Sequence, residues 1–200
     1  MLAVGDRHFR AFVLDNPLRR LFSPPRKTVS KYASKGNVVA DVGCGPGYFV
    51  LSMAEVVGPT GRVYAVDSDP RSIQLVTSKA AKQGYTFVIE AHVSSAADLS
   101  FIPGGTVDFV FANGLICCML DHDGAIRELK RVMKPAGVAY LSVSRMSRKS
   151  DTRRVGREEW SRLIEEFRVV NRGEGLTNRW AVVSGKEIEG ILKESASLRA

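Results

Sequence analysis

The chain has 200 residues and a formal net charge of +8, with 44% hydrophobic and 25% charged residues. This composition supports one enzyme-sized domain with a buried core and excludes a chain that is disordered over long stretches. Its three cysteines form neither a disulfide framework nor a zinc spacing, and no apolar run approaches membrane-spanning length. The composition therefore favours a cytoplasmic protein and gives no metal site.

Residues 1–36 predict a leader or lid segment in front of the main domain, which we place at residues 37–200. The leader holds eight Lys and Arg against two acids, and it is predicted to end in a short helix that reaches Lys35. After it, strands and helices alternate, which is typical of a parallel sheet with crossover helices. The strands are predicted at 38–42, 62–66, 86–90, 107–112, 138–144, 169–170 and 179–183. The helices are predicted at 47–57, 70–83, 123–134 and 158–167.

A glycine turn joins the first strand to the first helix. Gly43, Gly45 and Gly47 follow the strand, and backbone N–H groups at such a helix N-terminus point at a bound ligand. Glycine lets backbone and ligand approach each other without a Cβ between them. Asp67 ends the second strand at the same edge of the sheet, where its carboxylate can accept hydrogen bonds from both hydroxyls of a ribose. The turn and the acid together predict a nucleoside cofactor; the alternative is a plain connecting turn, with Asp67 as a helix cap.

The glycine spacing narrows the choice of nucleoside. A dinucleotide fingerprint, Gly-x-Gly-x-x-Gly, would place its third glycine at the position of Tyr48. A phosphate-binding P-loop is excluded because no Gly-Lys-Ser/Thr follows the turn. The stretch from Asp41 to Gly47 instead resembles motif I of the class I S-adenosylmethionine (SAM) dependent methyltransferases, and Asp67 falls where that family keeps its ribose-binding acid.

A second stretch resembles the same family. Residues 107–111 and 126–137 are similar to its pattern F-D-l-V … l-E-x-x-R-V-L-K-P-G-G, with Ala136 at the first glycine of the final pair. The resemblance spans residues 37–145 and points to the branch that contains ubiquinone and menaquinone biosynthesis C-methyltransferases. It implies an α/β fold with a doubly wound, Rossmann-like seven-stranded sheet in the order 3-2-1-4-5-7-6, with strand 7 antiparallel. It also implies SAM as the cofactor and S-adenosylhomocysteine as its product.

The resemblance implies roles for the residues around the turn. Gly43 and Gly45 would lie under the methionine part of SAM. Asp41 would hold the loop and, through water, the cofactor's amino group. Asp67 would bind the ribose, and Asn113, at the end of the fourth strand, would face the methionine end.

The adenine end departs from the family pattern. Ser68 stands where the family often has an apolar residue that packs on adenine. Ser95 replaces the acid that usually accepts a hydrogen bond from the adenine amino group, and a hydroxyl is a weaker acceptor than a carboxylate. Ala96 would offer its backbone N–H. The cofactor contacts expected in all are Asp41, Gly43, Cys44, Gly45, Gly47, Asp67, Ser68, Ser95, Ala96 and Asn113.

Methyl transfer requires little protein chemistry, because the sulfonium of SAM already makes its methyl group electrophilic and the enzyme mainly aligns a nucleophile. After the fourth strand, Cys117 and Cys118 replace two histidines of the family's L-H-H-L-x-D pattern. We interpret them as small apolar side chains; nucleophilic thiols or metalloid ligands are the alternatives. His122 is the candidate general base, with helix capping as the alternative.

The methyl acceptor is predicted to be a small molecule. Six basic residues between Arg145 and Arg157 are opposed only by Asp151, but no aromatic residue lies among them to stack on bases. The alternatives are an RNA methyltransferase that binds its substrate through the basic flanks and a SAM-binding partner subunit without activity. A nicotinamide-dependent dehydrogenase is disfavoured by Tyr48 at the third glycine position.

Overall fold

A seven-stranded sheet forms the centre of the computed structural model, which describes residues 25–148 and 150–185. Most of the predicted leader and the end of the chain lie outside these residues. The strands are β1 (Val38–Val42), β2 (Arg62–Asp67), β3 (Ile89–Val93), β4 (Val107–Asn113), β5 (Met133–Ser144), β6 (Arg168–Glu174) and β7 (Asn178–Ser184). The helices are α1 (Pro25–Val29), α2 (Val50–Val57), α3 (Pro70–Lys82), α4 (His122–Val132) and α5 (Arg157–Glu165), with a 3₁₀ turn at Ile116–Cys118.

The strand order is β3-β2-β1-β4-β5-β7-β6, which confirms the predicted order. β1 to β5 pair in parallel, and β7 runs antiparallel to both β5 and β6. Because parallel strands end at a common edge, the carboxyl ends of β1, β2, β4 and β5 come together there.

Helices cover both faces of the sheet. On one face α1, α2 and α3 pack on side chains such as Val39, Val63 and Phe109, and on the other α4 and α5 pack on side chains such as Val110 and Leu141. Neighbouring residues of a strand point to opposite faces, so strands buried on both sides read as continuous apolar runs. The result is the doubly wound α/β arrangement that the sequence predicts. Within the described residues, no helix combines the length and apolar character needed to cross a membrane.

Local sequence signals explain where the helices near the site begin and end. Asp69 caps α3 by accepting the N–H of Arg71 at 3.0 Å, with Pro70 in the first turn. Gly58 ends α2 with φ 68°, and its N–H bonds to the Ala54 carbonyl. These signals confirm the predicted cap and stop.

Several predicted boundaries were wrong. α2 begins at Val50 and not near Gly47, because the glycines of the turn have positive φ, which a right-handed helix does not allow. β3 lies at Ile89–Val93 and not at 86–90, because the N–H groups of Val88 and Ile89 both bond to the Tyr85 carbonyl and form a turn.

Two helix ends also differ from the predictions. α4 ends at Val132. The next residue, Met133, is the first of β5 and pairs with Val107 of β4, so Pro135 lies within a strand and does not terminate the helix. α1 ends at Val29, and turns replace the helix predicted to reach Lys35.

Candidate functional site

A cavity of about 780 Å³, here called the main cavity, lies at the carboxyl edge of the sheet. Its volume is in the range of pockets that enclose a drug-sized ligand. Eight of the ten predicted cofactor contacts line it: Asp41, Gly43, Cys44, Gly45, Asp67, Ser68, Ala96 and Asn113. Gly47 and Ser95 are not among its lining residues.

The glycine turn, residues 43–47, forms the floor of the main cavity, and the backbone conformation of its three glycines is what shapes that floor. Gly43, Gly45 and Gly47 have φ values of 78°, 52° and 84°, a region that side chains disfavour. A Cβ on Gly43 would lie 2.8 Å from Cδ1 of Leu115. A Cβ on Gly47 would lie 2.9 Å from Cγ2 of Val76 in α3, so Gly47 serves helix packing and not ligand contact.

The expectation that backbone N–H groups of this turn face a ligand is not met. The N–H groups of Gly43 and Cys44 both donate to the Val66 carbonyl, at 2.8 and 3.0 Å. The N–H of Gly45 donates to Asp67, and the N–H of Gly47 donates to the Cys44 carbonyl at 3.1 Å. The turn uses these donors to fasten itself to the end of β2.

Asp67 is oriented by two backbone donors. Its Oδ2 accepts the N–H of Gly45 at 2.8 Å, and its Oδ1 accepts the N–H of Asp69 at 2.9 Å. A carboxylate has four lone pairs, so it can accept more hydrogen bonds than these two. The alternative that Asp67 is a helix cap fails, because Asp69 caps α3.

Asp41 is the most unusual group in the site. Its side chain is 3% exposed, and its Oδ2 has no hydrogen-bond partner among the described residues. Burial, together with the nearby charge of Asp67, raises the pKa of Asp41 from 3.8 to about 8. The adjacent Cys44 thiol is buried too, and burial raises its pKa well above its usual value, so it stays a thiol.

The second buried polar atom without a partner in the described ranges, Oγ of Ser147, lines the same main cavity as Asp41. Buried polar groups normally have hydrogen-bond partners, and leaving them unpaired is costly. Two such atoms in one cavity indicate a ligand with more than one polar group.

Ser95 performs a structural task. Its Oγ accepts the N–H of Ala97 at 3.2 Å, and its carbonyl accepts the N–H of Asp98, so the side chain stabilises its own turn. Ser94 and Ala96, on either side of it, line the main cavity instead. An adenine contact from the Ser95 hydroxyl is therefore not supported.

Asn113 is fixed at the end of β4. Its Oδ1 accepts the hydroxyl of Ser142 at 2.8 Å, and Oγ of Ser142 accepts the N–H of Gly114 at 2.9 Å. These bonds join the ends of β4 and β5 and leave the amide NH₂ of Asn113 as a donor group on the cavity wall.

Cys117 and Cys118 both line the main cavity. Each Sγ donates to the Gly114 carbonyl, at 3.4 and 3.2 Å, and Sγ of Cys117 also accepts the N–H of Ser144. The two thiols thus support the turn after β4. Within residues 25–148 and 150–185, no group of three or more His, Cys, Asp or Glu is arranged to hold a metal ion.

His122 lies behind the cavity wall and not in it. The residue is 7% exposed; its Nδ1 is 2.7 Å from Oε1 of Glu159, and its Nε2 is 2.9 Å from the Met119 carbonyl. These two contacts join the start of α4 to α5 and to the turn before α4. Because His122 is not among the residues that line the main cavity, the structure does not support it as the general base.

A second cavity of about 400 Å³, which we call the aromatic cleft, shares Phe49, Phe111 and Asn113 with the main cavity. Its other described lining residues are Thr28, Lys31, Tyr32, Tyr140 and Trp180. The sequence analysis missed these five residues, because they come from three separate segments and share no local pattern.

Comparison with known proteins gives a family match over most of the chain. Residues 33–194 match the family model described as a methyltransferase domain. A demethylmenaquinone methyltransferase from Anoxybacillus flavithermus is 32% identical over 103 residues, which cover 52% of this chain and 43% of that protein. A ubiquinone/menaquinone biosynthesis C-methyltransferase from Hahella chejuensis is 30% identical over 113 residues, 56% of this chain and 45% of that protein. The matched region thus spans less than half the length of these curated relatives.

Among solved structures, a SAM dependent methyltransferase from Aquifex aeolicus superposes with a TM-score of 0.73 at 25% sequence identity. The superposition covers 86% of this chain and 95% of that one. The similarity in fold therefore extends over most of both chains.

Proposed function

Because the chain belongs to the methyltransferase domain family, we propose that it transfers a methyl group from SAM to a small-molecule acceptor at the carboxyl edge of its sheet. SAM is the cofactor that this membership assigns to the chain. The single observation that carries the proposal is the main cavity, where Asp41 and Asp67 lie on either side of the glycine turn.

The residues of the main cavity fit SAM by their chemistry. The buried Asp41 carboxyl group has an unpartnered oxygen, and a cationic ligand group beside it would favour its ionised form. SAM has two cationic groups, an ammonium and a sulfonium. Asp67 can accept from the ribose hydroxyls, and Ser68 and Ala96 lie where the adenine is expected. The glycine turn leaves room for the ligand, since its positive-φ residues place no side chain over the floor.

SAM supplies the electrophilic methyl group, so the work of the chain is to bind and to orient. Asp67 and Asp41 hold the cofactor at the ends of β2 and β1. The bonds from Ser142 to Asn113 and from Gly114 to Ser142 fix the wall at the end of β4, where the acceptor must approach. Burial raises the pKa of Tyr140, so its hydroxyl stays protonated and acts as a donor and not as a base. An acceptor that arrives ionised needs no base from the protein.

The names of the curated relatives support a small-molecule acceptor, since both proteins described above are named for quinone methylation. The structure also weakens the main argument for RNA. Arg145, Arg157 and Arg179 surround Glu174, with nitrogen–oxygen distances of 3.7, 3.2 and 3.0 Å. Arg153 pairs with Asp151 at 3.0 Å. Three of the six basic residues in this segment are therefore engaged in ion pairs within the fold, and Glu174 supplies one negative charge to three arginines.

The test of the proposal is a calorimetric titration with SAM, S-adenosylhomocysteine and NAD. We expect the first two ligands to bind and NAD to give no heat. Binding of NAD in place of SAM would support a dehydrogenase and contradict the proposal.

The RNA alternative is tested with a charge reversal of Arg148 and Arg154, which are both exposed. We expect unchanged SAM binding and weak, salt-sensitive RNA binding in both the parent and the variant. A tight RNA complex of the parent that the variant loses would favour RNA as the substrate.

A further inference from the structure

Aromatic side chains form most of the wall of the aromatic cleft. Phe111, Tyr140 and Trp180 come from β4, β5 and β7 and lie on one face of the sheet, with Tyr32 and Phe49 beside them. The Phe111 and Tyr140 rings have centroids 5.1 Å apart at an interplanar angle of 21°. The Tyr140 and Trp180 rings have centroids 6.4 Å apart at 13°. Rings stacked in this way cover each other's faces and present their edges to the cleft, and a further planar ring can pack edge-to-face against such edges.

Gly173 makes room for the Trp180 indole. A Cβ on this β6 residue would lie 2.7 to 3.0 Å from three ring atoms of Trp180. A glycine inside a strand weakens the strand and often marks a close approach of another group. Gly173 is therefore a positioning residue for the indole, although it does not line the aromatic cleft itself.

The charge at the aromatic cleft is positive. Among its described lining residues, Lys31 alone has a full charge, and its side chain is exposed at the mouth. The other polar groups of its lining side chains are the hydroxyls of Thr28, Tyr32 and Tyr140, the Asn113 amide and the Trp180 indole N–H. A cation and these neutral groups favour an anionic substituent on a bound ring.

The aromatic cleft opens toward the reaction edge. Phe49, Phe111 and Asn113 are walls of both cavities, and Asn113 ends β4 where the methionine part of the cofactor is expected. A ring in the aromatic cleft is thus next to the main cavity without occupying it.

We propose that the aromatic cleft binds the methyl acceptor and that this acceptor is a planar aromatic compound with an anionic substituent. The role of this compound as methyl acceptor rests on the proposed function. Its aromatic character is inferred from the rings of the cleft, and its anionic substituent from Lys31.

The proposal is tested by calorimetric titration of 2-naphthoate into the protein, with and without saturating S-adenosylhomocysteine. We expect 2-naphthoate to bind in both conditions with affinities within about threefold of each other, because the two ligands occupy different cavities. Cyclohexanecarboxylate, which has the charge without the aromatic ring, is expected to bind more weakly. Complete loss of 2-naphthoate binding on addition of S-adenosylhomocysteine would place the ring in the main cavity and overturn the proposal. Absence of binding to the parent protein would overturn it as well.

Substitutions at the aromatic cleft test whether 2-naphthoate binds there. Trp180→Ala should weaken 2-naphthoate binding about tenfold, since an aromatic packing partner and its buried area are lost. Gly173→Ala should also weaken 2-naphthoate binding, because the new Cβ displaces the indole. Trp180→Phe should bind 2-naphthoate more tightly than Trp180→Ala does. Leu176→Ala is the matched control, because Leu176 is 98% exposed in the neighbouring β6–β7 turn. Parent affinity in both Trp180→Ala and Gly173→Ala would contradict the proposal.

Lys31→Gln separates the charge from the ring. We expect an effect of about two- to fivefold on 2-naphthoate, as for an exposed ion pair, and no effect on the neutral naphthalene-2-methanol. Equal effects on the two compounds would remove the anionic part of the proposal.

SAM titrations of the same proteins keep this proposal distinct from the proposed function. A parent that binds SAM but not 2-naphthoate remains a methyltransferase candidate without this acceptor cleft. A parent that binds 2-naphthoate but not SAM has the ligand cleft, and the proposed function fails.

Discussion

The cofactor half of the main cavity is built from two neighbouring strand ends, and hydrogen bonds from backbone N–H groups to one carboxylate hold it together. The proposed acceptor half of the site, Asn113 and the adjoining aromatic cleft, is assembled from side chains of β4, β5 and β7, of α1 and the turn after it, and of Phe49 before α2. The first half depends on backbone conformation and buried charge, whereas the second depends on ring packing. We therefore expect a single substitution in the first half to abolish cofactor binding, and a single substitution in the second half only to weaken acceptor binding.

The largest effect is expected from Gly45→Val. Gly45 lines the main cavity with φ 52°, so a β-branched side chain is both strained and placed where the ligand must approach. SAM binding should be abolished in calorimetry while circular dichroism shows a folded protein.

Gly84→Val is the matched control for this variant. Gly84 has a similar φ of 74° after α3, but a Cβ there meets no atom within 4 Å. It should lose stability and keep the parent's SAM affinity. Normal SAM binding by a folded Gly45→Val protein would contradict the assignment of the glycine turn.

The next effect concerns Asp67. Its replacement by alanine removes the expected ribose acceptor and the acceptor for two backbone N–H groups, and should cost about 1.5–3 kcal/mol, or tenfold to a hundredfold in SAM affinity. Asp108→Ala is the control, since Asp108 accepts the N–H of Val38 at the start of β1, away from the main cavity. Affinities within twofold of each other in the two variants would show that Asp67 does not bind the cofactor.

An effect of another kind, on stability and not on cofactor affinity, is expected from Asp41→Asn. The folded protein keeps Asp41 protonated up to a pKa of about 8, whereas the unfolded chain releases the proton near 3.8. Between these pH values the folded state binds more protons, so this group lowers stability as pH rises, by at most about 1.4 kcal/mol per pH unit.

Asp41→Asn should remove that slope in denaturant unfolding measured between pH 5 and 8, and it should be more stable relative to the parent at pH 8 than at pH 5. Parallel pH profiles of parent and variant would mean that Asp41 is already ionised in the folded state.

The smallest effect is expected at Cys117 and Cys118. Replacement of both by alanine removes packing and three weak hydrogen bonds and should cost about 1–2 kcal/mol of stability. SAM affinity should be unchanged, and methyl transfer should persist. Loss of turnover at unchanged SAM affinity would instead make the thiols nucleophiles or metalloid ligands.

The two halves also differed in how far the sequence predicted them. The glycine turn and Asp67 were predicted because strand, turn, helix and second strand follow each other within about thirty residues, and their periodicity and spacing are local. The capping of α3 by Asp69 was predicted for the same reason.

Predictions failed where a distant partner decides the role of a residue. His122 is fixed by Glu159, which is 37 positions away, and nothing near His122 reveals this partner. Ser95 failed for a local reason, because its hydroxyl caps the Ala97 N–H in a turn that competes with ligand contact. The aromatic cleft joins Tyr32, Tyr140 and Trp180, which become neighbours only through the strand order.

The most direct test of the central claim is a crystal structure of the protein with S-adenosylhomocysteine. We predict that the ribose hydroxyls lie within hydrogen-bond distance of the Asp67 carboxylate, that the amino group of the ligand lies on the Asp41 side of the glycine turn, and that the aromatic cleft stays open beside Asn113. A ligand bound outside the main cavity, or a ribose away from Asp67, would contradict the account.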